Sequence, residues 1–204
     1  MLRWLLPILM FGTAASADAV DNVMQAAANA FDRMPRLERV ARIEGACGAD
    51  SHVNQDVAYC TTRNLVLLSE AAASRPEAPY LVAHVLGHAV QVQHGIADTA
   101  LREIRARRAE EPTLRGYVAS QVECIAGFLM TRAGQQGASL TDWFNAEPFT
   151  GTHWGRDPLR VGPQVAIGLD GRNAWFMRGQ AATTLQDCAA GEFGAELLLR
   201  AYKG

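Results

Sequence analysis

Several features that define common protein classes are missing from this sequence. Its four cysteines form no CxxC or CxC pair, which argues against a four-cysteine zinc knot and leaves nothing that points to catalytic thiol chemistry. No internal repeat, low-complexity tract or linker interrupts the chain, so a single domain is expected. The formal net charge is only −2, and the basic run at residues 102–108 is accompanied by Glu103, Glu110 and Glu111. That pattern indicates a solvated helix face and argues against nucleic acid as a partner.

A membrane-spanning run is also missing. Residues 4–11 are apolar, but this run is about half of the ~20 residues that a span needs. Arg3 precedes it and Ala15-Ser16-Ala17 follows it, the pattern of a secretory signal peptide, which we place at residues 1–17. An uncleaved membrane segment is the competing interpretation. With cleavage, residues 18–204 form one periplasmic or secreted domain without a membrane span.

The cysteines fit that destination. Cys47, Cys60, Cys124 and Cys188 all remain after cleavage, and an even number of cysteines in an oxidising compartment favours two disulfides. Four cysteines allow three pairings, and the sequence alone does not choose among them.

Hydrophobic spacing predicts a mostly helical chain with a few strands. Helices are expected at residues 21–32, 79–94, 112–132 and 172–179. Strands are expected at residues 37–43 and 57–68, on either side of a turn-rich loop, and residues 134–171 are expected to be loop with short helical pieces. The predicted fold class is therefore α+β, predominantly α-helical with a small sheet.

Two histidines carry the strongest chemical signal. His84 and His88 are four residues apart on the predicted buried helix, so both imidazoles lie on one face, the geometry in which a helix presents two nitrogens to zinc. In the metallopeptidase motif H-E-x-x-H the glutamate is the general base. Here that position is Val85, which accepts no proton. Buried core histidines without any metal are the alternative.

Five short segments together resemble the bacterial neutral zinc metallopeptidase family. Residues 84–91 (HVLGHAVQ) are similar to its HExGHHxQ helix, and residues 121–127 (QVECIAG) to its QADCFAG segment. The others are Cys47-Gly48, the Tyr59-Cys60 turn and following strand, and residues 175–179 (WFMRG) before the last cysteine. The resemblance covers roughly residues 42–188. It implies a zincin-like fold with two long helices crossing at the metal site, and it implies pairing of Cys47 with Cys60 and of Cys124 with Cys188.

The resemblance fails at the residues that do the chemistry. By analogy with other zincins, the family's third zinc ligand falls on Ala119 and the residue that orients a ligand histidine falls on Glu123. A late family histidine falls near Ala166. The base position is Val85, as noted. The resemblance therefore implies a metallopeptidase scaffold without its catalytic residues.

Glu123 leaves two possibilities open. It is one methylene longer than the family's aspartate, and helical side chains lean toward the N-terminus, over the turn where Ala119 lies. Glu123 could then ligate a metal together with His84 and His88. Otherwise it bonds one of the two imidazoles as a polar group inside the core. In either case we expect the three side chains to form one polar cluster.

Two further histidines are weaker candidates. His94 is placed at the end of its helix, where it is expected to cap the last carbonyls rather than bind metal. His153 lies in a loop, and a surface role is expected for it.

We therefore predict a catalytically inactive, metallopeptidase-like exported protein with a binding, regulatory or structural role. The alternative is an atypical metallopeptidase that uses His84, His88 and Glu123. The expected cofactor is none, or weakly bound zinc. The expected partner is an envelope or secreted protein or peptide, which the sequence does not identify.

Overall fold

A computed structural model describes residues 13–151, 154–155 and 165–204 of the 204-residue chain. Its helices are α1 Thr13–Ala30, α2 Glu70–Ala73, α3 Ala78–Gln93, α4 Ile96–Ala106, α5 Glu111–Arg132, α6 Leu169–Ala181 and α7 Glu196–Ala201. The strands are β1 Arg36–Val40, β2 Val57–Cys60, β3 Leu65–Ser69 and β4 Trp154–Gly155. The chain is thus α+β and predominantly helical, with a small mixed sheet.

Helix α3 lies at the centre of the core. Every residue from Ala78 to Gln91 is buried, as expected for a helix with almost no polar face. Pro79 occupies its first turn, where the missing N–H leaves no hydrogen bond unmade. Gly95 follows its end with φ +78°, a left-handed conformation that glycine adopts without strain. The predicted helix at residues 79–94 is confirmed with a shift of one residue at each end.

Glycines allow α5 and α6 to pack backbone to backbone. A Cβ atom added at Gly127 would overlap the carbonyl oxygen of Phe176, and one added at Gly179 would overlap that of Cys124. Any larger side chain would force the two helices apart. Helix α6 is therefore held close against the same helix that faces α3.

The sheet has the strand order β1-β3-β2-β4. Strands β1 and β3 are parallel, β2 and β3 antiparallel, and β2 and β4 parallel. The single strand expected at residues 57–68 is wrong, because the chain reverses at residues 61–64 to form the β2–β3 hairpin. Asn64 adopts φ +46° in this turn, a conformation that asparagine tolerates better than most residues.

Both faces of the hairpin are buried. Val57, Tyr59, Val66 and Leu68 pack into the main core with α1, α3 and α5. The alternate residues pack with Ile43, Ala49 and Val53 in a second, smaller core. Burial on two faces explains the continuous apolar sequence of these strands.

Two disulfides cross-link the fold. Cys47 is bonded to Cys60, with the Cα atoms 6.2 Å apart, and covers the smaller core. Cys124 of α5 is bonded to Cys188 beyond α6, with the Cα atoms 5.4 Å apart. The pairing that the family resemblance implied is the pairing in the structure.

The ends of several elements differ from the predictions. Helix α1 starts before residue 21 and α6 is longer than residues 172–179, whereas β1 stops short of residue 43. Helices α2 and α7 have no counterpart among the predictions, and α4 was anticipated only as a helix face at residues 102–108. The apolar run of the predicted signal peptide lies outside the described residues, and among those described no helix is long and apolar enough to span a membrane.

Candidate functional site

Helix α3 presents the two histidines on one face. His84 and His88 are 1% and 5% exposed. Their ring centroids are 5.1 Å apart and their planes meet at 77°. One helical turn therefore separates two buried imidazoles, as the i, i+4 spacing predicts.

Helix α5 runs antiparallel to α3 across this face. Nδ1 of His84 lies 3.1 Å from Oε1 of Glu123. Further along, a Cβ at Gly87 would lie 2.9 Å from the carbonyl oxygen of Val122, and Gln91 donates to the carbonyl of Val118 at 3.3 Å. From residue 84 to residue 91 of α3, the contacted residues of α5 run in the opposite direction, from 123 to 118. Residue 119 lies one turn before Glu123 on α5 and so shares the helix face that carries Glu123.

Glu123 is fully buried, yet both of its oxygens have polar partners. Oε1 accepts a hydrogen bond from Nη1 of Arg172 at 2.6 Å and lies 3.1 Å from His84. Oε2 accepts a hydrogen bond from the hydroxyl of Tyr80 at 3.2 Å. The carboxylate is therefore occupied on both sides by groups from α3 and α6, which compensates for its removal from water.

Arg172 connects this carboxylate to the loop before α6. Its Nε donates to Oε1 of Glu147 at 2.8 Å. Its Nη2 donates to the carbonyl oxygens of Phe149 and Val165 at 3.3 and 3.2 Å. All three guanidinium nitrogens are thus bonded, although the side chain is only 1% exposed.

Glu147 fixes the start of α6. Besides Arg172, it accepts hydrogen bonds from the backbone N–H groups of Ile167 and Gly168 at 2.9 and 2.8 Å. A carboxylate at a helix N-terminus satisfies free N–H groups and interacts favourably with the helix dipole. Glu147 therefore holds the first turn of α6, and with it Arg172, in place.

Aromatic rings enclose the polar cluster. Phe149 stacks flat on His84, with ring centroids 3.9 Å apart and planes at 9°. Tyr80 contacts the rings of Trp143, Phe144, Phe149 and Phe176. The imidazole of His84 is thus covered on one face by an apolar ring.

Burial and the neighbouring charges set the protonation states. Burial lowers the pKa of His84 below 6.5, although Glu123 opposes the shift, so His84 is neutral at pH 7. Burial alone would raise the pKa of Glu123, but the contacts with His84 and Arg172 outweigh it and hold this pKa below 4.5. Burial, reinforced by Glu123, raises the pKa of Tyr80 well above 10. The cluster therefore contains a neutral histidine, a neutral tyrosine and a carboxylate–guanidinium ion pair.

The remaining candidate positions are placed as follows. Val85 is fully buried and Ala119 is nearly so, whereas Ala166 is exposed. His94 occupies the C-cap position of α3, with Nδ1 of its ring 3.5 Å from the guanidinium of Arg33. His153 lies outside the described residues.

Sequence reasoning did not identify Arg172, Glu147, Tyr80 or Phe149. Arg172 was expected only as the start of a helix, and Glu147 and Phe149 only as loop. Nothing in the pattern of the sequence marks Arg172 or Glu147, because an arginine in a first turn and a glutamate in a loop are usually exposed. Tyr80 lies one turn before His84 on the same helix, and that spacing was a usable signal.

Comparison with known proteins supports the resemblance. The sequence profile of the family described as "Putative neutral zinc metallopeptidase" matches residues 44–190, well over half of the chain. The chain belongs to this family. Searches of curated proteins and of solved structures found no match.

Zinc, which the family name implies, does not fit the side chains that the structure describes. Among them, no group of three or more His, Cys, Asp or Glu side chains could hold a metal ion. Two imidazoles are present, but Ala119, where the resemblance puts the third ligand, supplies no ligand. The carboxylate of Glu123 is engaged by Arg172 and Tyr80. A catalytic zinc site needs three protein ligands and an activated water, and these residues supply neither the third ligand nor a base.

Proposed function

We propose that this protein is a catalytically inactive, exported member of the metallopeptidase family, with a binding, regulatory or structural role. One observation carries the proposal. Helix α5 has an alanine at position 119, where the family resemblance puts the third zinc ligand, and a glutamate at position 123 that is already paired with Arg172 at 2.6 Å. The side chain that follows His84 is Val85, which is buried and has no proton-accepting atom.

These features remove hydrolysis by the family's usual route. A general base contributes ~10²- to 10⁴-fold to such reactions. A zinc ion with only two protein ligands would bind weakly and activate its water poorly. The two deficits act on the same step, since both concern the attacking water.

The alternative, an atypical metallopeptidase using His84, His88 and Glu123, is less well supported. To ligate a metal, Glu123 would have to give up its hydrogen bonds from Arg172 or Tyr80. Removing one partner from a buried ion pair costs about 3 to 5 kcal/mol. Glu123 is better placed as a partner of the Nδ1 side of His84 than as a metal ligand.

Export is part of the proposal. It is supported by the predicted signal peptide at residues 1–17 and by the two disulfides, which persist in oxidising compartments. A partner would then be another envelope or secreted protein or peptide. Zinc, if bound at all, would be bound weakly.

The test is a hydrolysis assay on the mature chain, residues 18–204. Casein and a mixed peptide library are incubated with the protein, with and without added zinc, beside a His84→Ala variant. We expect no cleavage above the buffer blank in any sample. Cleavage that a chelator abolishes and that His84→Ala lacks would disprove the proposal and support the atypical metallopeptidase.

A further inference from the structure

The carboxylate behind the histidine pair is already bonded to a guanidinium. Glu123 and Arg172 have opposite charges, are almost wholly buried and lie 2.6 Å apart. The second carboxylate on Arg172, that of Glu147, is 11% exposed and also accepts two backbone N–H bonds. Among the described residues, the carboxylate beside His84, that of Glu123, is therefore already engaged by a guanidinium.

A divalent ion on His84 and His88 would be poorly accommodated here. Its two positive charges would be buried, and the nearest described carboxylate, that of Glu123, is already bonded to a guanidinium. An uncompensated buried charge is among the most costly features in a protein interior. The acidic residues that would offset the charge in a zinc peptidase are replaced by Val85 and Ala119.

The same guanidinium connects α6 with α5 and, through Glu123, with α3. Arg172 belongs to the first turn of α6 and bonds Glu123 of α5. Through Glu123 it reaches Tyr80 and His84 of α3. Its other nitrogens fix Glu147 and the carbonyls of Phe149 and Val165.

We propose that the Arg172–Glu123 ion pair, rather than zinc, holds the crossing of α3, α5 and α6, so that the protein folds and stays folded without metal. This departs from what the family name implies. The inference is also independent of the proposed lack of catalysis, because an inactive protein could still need a structural zinc ion.

The first experiment uses the mature wild-type chain, purified without chelator. Its metal content is measured by elemental analysis, and its melting temperature is measured in buffer, in EDTA and with equimolar zinc. We expect far less than one zinc per chain and melting temperatures that agree within about 1 °C, as linkage requires for a protein that binds no ligand in its folded state. Stoichiometric zinc whose removal lowers the melting temperature would overturn the proposal.

The second experiment tests the ion pair itself. Arg172→Met, Glu123→Gln and the double variant are melted beside Arg178→Met, which makes the same change at an exposed position of α6. We expect each single buried change to lower the melting temperature by about 10 °C or more, and the double variant to lose clearly less than the sum. Arg178→Met should melt like wild type.

Equal melting of Arg172→Met and Arg178→Met would disprove the role of the ion pair. If Arg172→Met does not fold at all, the measurement with EDTA and zinc on the wild-type chain still decides whether metal is needed. A protein that is inactive in the hydrolysis assay yet holds stoichiometric structural zinc would refute this inference and leave the proposed function standing.

Discussion

His84 and Phe149 lie face to face, with ring centroids 3.9 Å apart and planes at 9°. Phe149 has φ +58°, a left-handed conformation that is unfavourable for a bulky residue and persists only where its surroundings enforce it. The surroundings here include the hydrogen bond from Arg172 to the Phe149 carbonyl. A strained backbone thus places an apolar ring on the histidine.

Replacing Phe149 with alanine should therefore expose His84. We expect faster modification of His84 by diethylpyrocarbonate, followed by mass spectrometry, and a loss of about 3 to 5 kcal/mol in the free energy of unfolding. Phe149→Leu is the matched control, because it keeps an apolar side chain over the imidazole and should change the labelling rate much less. Identical labelling of His84 in wild type and Phe149→Ala would show that Phe149 does not shield His84.

Introducing glutamates at positions 85 and 119, where the family has acidic residues, should create metal affinity. The family resemblance puts the third ligand at residue 119, so Val85→Glu combined with Ala119→Glu adds a third ligand and a base. We expect zinc affinity to rise at least about tenfold, or ~1.4 kcal/mol, measured by calorimetric titration on protein that is folded by circular dichroism.

Ala71→Glu provides the control for this titration, since it adds a carboxylate at an exposed position of α2. It should leave zinc affinity unchanged. A folded double variant with wild-type zinc affinity would show that Ala119 is not at the ligand position.

The helix contact at Gly179 should tolerate no larger residue. A Cβ there would overlap the carbonyl oxygen of Cys124, so Gly179→Ala should cost about 1 to 3 kcal/mol, the usual cost of overpacking. Gly171 is on the same helix, but a Cβ there would meet only Ile167 at 3.8 Å. Gly171→Ala should be neutral or stabilising by up to about 1 kcal/mol. Urea unfolding of both variants measures the difference, and equal effects would count against the close packing of α5 and α6.

Acid should destabilise the protein partly through His94. Burial, and then the Arg33 guanidinium, lower the pKa of His94 below 6.5, against the opposing effect of Asp32. The unfolded chain therefore binds this proton more tightly, and the stability present above about pH 6.5 is lost as the pH falls below it. His94→Gln should lose less stability than wild type between about pH 7.5 and 5.5 in urea unfolding. His84 titrates in the same direction in both proteins, so the difference between their stability losses reports on His94. Identical stability losses in the two proteins would contradict the contribution of His94.

The sequence determined much of the scaffold by itself. The apolar character of residues 79–94 and the spacing of residues 112–132 predict α3 and α5 within a residue, because helix periodicity is a local property of the chain. The spacing of His84 and His88 placed both imidazoles on one face for the same reason. The identities of Val85 and Ala119 show from the sequence alone that the base position and the expected third-ligand position hold no suitable group, since no fold gives valine or alanine a proton-accepting side chain.

Only the tertiary structure decided what Glu123 does. Its alternatives, metal ligand or hydrogen-bond partner, depend on which groups reach it from other elements. Arg172 comes from 49 residues further along the chain, and Phe149 and Glu147 come from a loop with no periodic pattern. The groups that surround a buried carboxylate are set by distances and charges across three helices, and neither quantity is encoded in the local spacing of any one of them.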